Sequence, residues 1–185
     1  MKITAIFGSP RKTGNSSTIA NRFLDTARDL GAETRLFILN DMDFKGCQGC
    51  GACKSKVDHC VLEDDLAEVL QSIHQADVLV LASSVYFGDI SGQLKSCFDR
   101  TYSFFNADFS CRLKRGKKSV FILAQGHPDE NAFADIHSRY ERWLSMFGFS
   151  QNHLIRAVGV REIGDVRNRK DVLQQAESIA RSLVA

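Results

Sequence analysis

Four cysteines, Cys47, Cys50, Cys53 and Cys60, fall within the single run GCQGCGACKSKVDHC, in the spacing C-x2-C-x2-C-x6-C. Thiolates are soft metal ligands and redox-active nucleophiles, and links this short let all four sulfurs face one centre. Three chemistries follow: a [4Fe-4S] cluster with one thiolate on each iron, unmetallated redox thiols, or a structural zinc. Four-cysteine zinc sites usually come as two separated pairs, which this run lacks. Gly49 and Gly51 allow backbone N–H groups to turn toward sulfur. Lys45, Lys54 and Lys56 are expected to offset the negative charge of the thiolates and to raise a reduction potential there. The remaining two cysteines, Cys97 and Cys111, stand apart and read as buried side chains.

A second chemical signal lies upstream in GSPRKTGNSS, residues 8–17, between an apolar strand and a helix. Gly8 and Gly14 allow tight backbone geometry, and Ser9, Arg11, Asn15, Ser16, Ser17 and Thr18 supply donors beside the free amides of a helix start. That combination suits a phosphate. Its spacing is neither GxGxxG nor GxxxxGK followed by Ser or Thr, which argues against a dinucleotide fingerprint and a nucleoside triphosphate loop. The simpler reading is that Asn15 or Ser16 only caps the helix.

The elements that must position these groups alternate along the chain. Continuous apolar runs at Ile3–Phe7, Val78–Ala82 and Val120–Ala124 read as strands buried on both faces of a parallel sheet, with weaker strands at Thr34–Leu39 and His153–Val160. Helical spacing joins Ile19 to Leu30, Leu66 to Ile73, Phe133 to Phe147 and Val172 to Leu183, and a further helix is expected from Gly92 to Tyr102. Asp64 and Asp65 are expected to cap the helix that begins at Leu66. Five strands each followed by a helix make a doubly wound α/β sheet, and the less apolar second strand suits an edge, as in the flavodoxin-like order 2-1-3-4-5.

In such a sheet the ligand sits beyond the carboxyl ends of the strands where the order reverses. The third strand runs out into Ser83, Ser84, Val85, Tyr86, Phe87 and Gly88, where two aromatics on a glycine-ended loop could cover a flat ring, or could be ordinary packing residues. The fourth ends at Gln125, Gly126, His127 and Pro128, a further ligand-facing loop. His127 could donate a proton there, although a loop histidine is more often a solvated polar residue. The basic stretch Arg112, Lys114, Arg115, Lys117 and Lys118 could attract a cofactor phosphate or an acidic partner, or form a solvated turn. Tyr102, Phe104, Phe105 and Phe109 suggest a dimer contact, with core packing the alternative.

GSPRKTGNSS, the cysteine run with Asp64 and Asp65, and SSVYFGDISGQLKSCFDR at residues 83–100 together resemble the flavodoxin-like NAD(P)H-dependent FMN reductases, and within them the iron-sulfur flavoproteins. The resemblance implies FMN, with its phosphate held by Ser9, Arg11, Asn15, Ser16 and Thr18 and its isoalloxazine ring held around Val85, Tyr86, Phe87 and Gly88. It also implies a [4Fe-4S] cluster on Cys47, Cys50, Cys53 and Cys60 that relays electrons to or from FMN, with NAD(P)H or a ferredoxin-like protein as donor or acceptor. Ser84 stands where the family usually carries proline, a departure that bears on the shape of the ring pocket. Alternatives are a cluster-free FMN or quinone reductase, a cysteine-based redox or metal sensor, and an electron carrier.

With 185 residues the chain is read as one domain, 1–185, with a cysteine-rich loop at 45–63. A net charge of +2 offers no basic excess for nucleic acid, and no apolar stretch approaches the ~20 residues that span a bilayer. A cytoplasmic protein is expected, in which the six cysteines are not a disulfide framework. A homodimer or homotetramer is expected.

Overall fold

The computed structural model describes residues 1–184. Strands β1 (Lys2–Phe7), β2 (Glu33–Ile38), β3 (Val78–Tyr86), β5 (Lys117–Gln125) and β6 (Phe149–Val158) form a parallel sheet in the order β2-β1-β3-β5-β6. The two-residue β4 (Asp89–Ile90) pairs antiparallel with the end of β3. Counting the parallel strands alone, this is the 2-1-3-4-5 order that the sequence implies.

Alternation along each strand divides the core. Ile3, Ala5 and Phe7 of β1, Val78, Val80 and Ala82 of β3, and Val120 and Ile122 of β5 face one layer, where helices α1 (Asn15–Asp29) and α6 (Lys170–Val184) cover them. Ile6, Leu79, Leu81, Phe121 and Leu123 face the other, beneath α3 (Leu66–Gln75), α4 (Gly92–Arg100) and α5 (Ile136–Met146). Successive side chains on a strand point to opposite faces, so a run apolar at every position is what burial between two helix layers requires. A one-turn helix, α2 (Ala52–Ser55), lies inside the cysteine loop.

Several elements differ from their sequence-based bounds. The helix expected from Phe133 begins at Ile136, and Phe133 sits before it with φ 65°. The last strand starts at Phe149 rather than His153, and β3 runs on to Tyr86 because β4 extends its ladder. Leu39, expected to end the second strand, instead opens a 3-10 turn over Leu39–Asp41.

The basic stretch is not one solvated turn. Lys117 is buried, with Nζ donating to the carbonyls of Ile73, His74 and Ala76 where α3 ends, and this desolvation lowers its pKa. Arg112 is turned toward the cysteine loop. The aromatic cluster also divides: Phe104 and Phe105 are in the core, packed on Phe147, whereas Tyr102 and Phe109 are exposed.

Candidate functional site

The chain leaves β1 for β2 on one side and β3 on the other, which opens a crevice at the carboxyl ends of β1 and β3. The β1–α1 turn enters this crevice. Gly8 donates its N–H to the Ala82 carbonyl at 2.8 Å and lies so close to α4 that a Cβ there would stand 2.5 Å from the Leu94 Cβ and 2.8 Å from the Ser91 Oγ. Ser91 caps α4, accepting from the Leu94 N–H, and donates its hydroxyl to the Gly8 carbonyl at 2.6 Å. The turn and the start of α4 are therefore one packed unit.

Within the turn, Ser9 is buried, and its Oγ accepts from the Arg11 N–H at 3.2 Å and from the Ser84 hydroxyl at 3.3 Å. The Ser16 hydroxyl is buried in the first turn of α1 and has no hydrogen-bond partner among the described residues. A buried hydroxyl left unpaired costs free energy, and here it lies beside the amides that a helix start leaves unbonded. Both features fit an anion. Thr18 is engaged with the Gly14 carbonyl and Ser17 with that of Arg11.

The Asn15 side chain is committed elsewhere. Its Nδ2 donates to the carbonyls of Val160 and Glu162, while its Oδ1 accepts from the N–H groups of Gly164 and Val166. All its hydrogen-bonding capacity ties the turn to the segment after β6. The stem of Arg161 in that segment packs over the position a Gly126 Cβ would take, 3.5 Å away, and the Arg161 carbonyl lies 3.5 Å from a terminal nitrogen of Arg11.

Across the crevice, Val85 and Tyr86 pair with Ile90 and Asp89, leaving Phe87 and Gly88 as a two-residue turn with φ of 48° and 80°. Positive φ at both positions is what the tight hairpin demands; glycine accepts it freely, whereas phenylalanine is strained there. The Phe87 ring is wholly exposed and Tyr86 is 43% exposed, so neither is a core residue. Helix α5 braces the hairpin: Arg139 donates to the Asp89 carboxylate and the Gly88 carbonyl, and Tyr140 donates to Asp89 at 2.9 Å. Burial, reinforced by that bond, pushes the Tyr140 pKa up, keeping it a donor. Gln125 is buried and held by Arg156 on one side and by the carbonyls of His127 and Asp129 on the other, so it shapes the third loop from within. The exposed His127 accepts from the Asp129 N–H.

The cysteine loop lies at the far end of α4. Cys47, Cys50, Cys53 and Cys60 line one pocket of about 170 Å³ together with Lys54, Arg100 and Tyr102. Cys47 and Cys50 are exposed and the other two half-buried; all are free thiols. Among the described residues no three metal-ligating side chains converge as a single bound ion requires. Cys97 is fully buried, which pushes its thiol up to about 12, and Cys111 donates to the Phe147 carbonyl.

Two arginines hold this loop. The Arg100 side chain is 0% exposed; it donates to the carbonyls of Lys45 and Leu62, at the two ends of the loop, and to Asp64 at 2.8 Å. Arg112 donates to the carbonyls of Cys53 and Asp58 in its middle. Asp64 also accepts from the Lys45 N–H and from the Leu66 N–H that opens α3, while Asp65, at the N-cap position, makes no side-chain cap bond and accepts instead from the Asp43 N–H. Burial alone would raise the Asp64 pKa, but the bonds from Arg100 and Lys45 outweigh it and the net shift is downward. Of the three lysines expected to offset the thiolates, Lys45 and Lys56 point to solvent. Lys54 Nζ is bound by the carbonyls of Tyr102 and Phe105, over the Tyr102 ring, and burial lowers its pKa. The buried cation at the cysteines is Arg100, from outside the run.

A parallel sheet in this order, with a phosphate-type turn at its switch point and an aromatic hairpin facing it, defines a flavodoxin-like protein. The family description "NADPH-dependent FMN reductase" matches residues 1–141. Among curated relatives, an iron-sulfur flavoprotein of Methanosarcina thermophila is 32% identical over 148 residues, covering 80% of this chain and 75% of its own length. Another of that name from Methanocaldococcus jannaschii is 33% identical over 138 residues, covering 75% and 70%. Among solved structures, an NAD(P)H:quinone oxidoreductase from Methanothermobacter marburgensis superposes with TM-score 0.81 at 22% identity over 99% of this chain and 96% of its own. An FMN-dependent NADH-azoreductase from Bacillus anthracis, solved with FMN, gives 0.77 at 18% identity over 100% of both chains. The chain belongs to the NADPH-dependent FMN reductase family and is a flavin oxidoreductase. No described helix is long and apolar enough to cross a membrane.

Proposed function

We propose that this chain binds FMN in the crevice between the β1–α1 turn and the β3–β4 hairpin and exchanges electrons with a [4Fe-4S] cluster on Cys47, Cys50, Cys53 and Cys60. The observation that carries the reading is the placement of the two sites at opposite ends of one helix, α4, which Ser91 ties to the turn and Arg100 ties to the cysteine loop.

The phosphate is assigned to the amides of the first turn of α1, the unpaired Ser16 hydroxyl, Ser9 and the Arg11 guanidinium, with Thr18 beside them; Asn15 contributes its backbone and the clamp that fixes the turn. The ring is assigned to Val85, Tyr86, Phe87 and Gly88, with Gln125 and Gly126 forming the third wall. FMN supplies the interchange between two-electron and one-electron chemistry, and the protein supplies position, electrostatics and exclusion of water. What favours a cluster is the donor set, four cysteines of one run lining one pocket, since a cubane takes one thiolate per iron.

The test is the absorption spectrum of protein purified without oxygen, with iron and sulfide analysis. Flavin bands over a broad iron–sulfur shoulder, with four irons per chain expected for a [4Fe-4S] centre, support the reading. Flavin without iron leaves a cluster-free NAD(P)H-dependent FMN or quinone reductase, and colourless protein unable to take up FMN overturns the assignment. Bleaching by NADH or NADPH would identify a pyridine nucleotide as donor, whereas reduction only by a ferredoxin would identify a protein donor.

A further inference from the structure

Resting on the cluster reading above, we propose that Arg100 is the protein's hydrogen-bond donor to the sulfur shell of the cysteine site, aimed at Cys60, and that it sets the reduction potential there. The guanidinium has five N–H bonds; both on Nη1 go to the Lys45 carbonyl and Asp64, and Nη2 donates to the Leu62 carbonyl. Its Nε–H is buried and has no partner among the described residues, although Arg100 and Cys60 line the same pocket. An orphaned charged donor in a protein interior is costly, and a bound sulfur acceptor removes that cost.

Hydrogen bonds to cluster sulfurs and nearby positive charge stabilise the more negative, reduced state and raise the potential. Arg100 supplies both from a position that solvent does not screen, unlike Lys45 and Lys56. Because it also bonds the carbonyls at both ends of the loop, the donor and the ligands are held in one frame.

The experiment uses the full chain, reconstituted anaerobically, in wild-type form and as Arg100→Lys, which keeps the charge and removes Nε. Protein labelled with ¹⁵N-arginine is examined by pulsed electron paramagnetic resonance of the reduced cluster, and the potential is measured by titration. The expected result is one arginine nitrogen coupling in the wild type, lost in Arg100→Lys together with a shift of the potential to more negative values at unchanged iron content. A wild-type cluster with no arginine coupling, or a variant with full iron and an unmoved potential, overturns the assignment of Arg100 while leaving the cluster reading standing. Wild-type protein that binds no iron overturns both. The wild-type coupling is readable even if the variant does not fold.

Discussion

Replacing Ser16 by alanine should separate the cost of this buried hydroxyl from its proposed use in holding a phosphate. The hydroxyl is buried and unpartnered at the start of α1, so in the flavin-free protein its removal relieves a desolvated polar group. Flavin-free Ser16→Ala should match the wild type in stability or exceed it by up to ~1–2 kcal/mol, the lower part of the range for an unsatisfied buried group. If the phosphate of FMN sits as proposed, the same hydroxyl donates to a charged phosphate oxygen, an interaction of about 1.5–3 kcal/mol. At ~1.4 kcal/mol per decade, FMN should bind roughly 10- to 150-fold more weakly to the variant. Riboflavin, which lacks the phosphate, should bind both proteins alike. Urea unfolding of the apoprotein and titration of flavin fluorescence measure the two quantities. Equal weakening of FMN and riboflavin, or an apoprotein destabilised by the change, would refute the placement of the phosphate at this hydroxyl.

Gly8→Ala inserts a methyl 2.5 Å from the Leu94 Cβ, so α4 must move by about an ångström; overpacking of this kind costs ~1–3 kcal/mol, read as a lower urea midpoint and weaker FMN binding. Asp64→Asn leaves the buried Arg100 without its carboxylate and should cost stability toward the low end of ~3–5 kcal/mol, since Asp64 keeps some solvent contact. The Asp64 pKa is lower in the folded state, so its contribution is complete above the unfolded value of ~3.9 and is lost as pH falls through the folded one. Unfolding curves of wild type and Asp64→Asn should therefore converge as the pH is taken below ~3.9, and parallel curves would contradict the pairing.

The sheet was legible because burial on both faces leaves strands that are apolar at every position, as Val78–Ala82 and Val120–Ala124 are. The turn and the cysteine run stand out in the sequence because the residues that compose them are adjacent in the chain. What was not legible depends on contacts between distant residues. Asn15 reads as a phosphate ligand until the chain 145 residues later returns to take up its side chain. Of Lys45, Lys54 and Lys56, neighbours of the cysteines in sequence, only Lys54 lines their pocket, and there it is joined by Arg100 from another part of the chain. Lys117 looks like one member of a basic surface turn, and only the end of α3 shows that it caps a helix from within. Phe133 fits the apolar period of α5 yet precedes it, taking a positive φ with its ring near Gly88.

Helix α4 also limits how this chain can diverge. Its nine residues span about 13–14 Å at ~1.5 Å each, with Ser91 fastened at one end and Arg100 at the other. One residue inserted between them would rotate the far end by ~100° and withdraw the guanidinium from both mouths of the loop. Residues along this segment can be exchanged, but its length cannot, and the separation of the β1–α1 turn from the cysteine loop is fixed like a ruler by a count of residues.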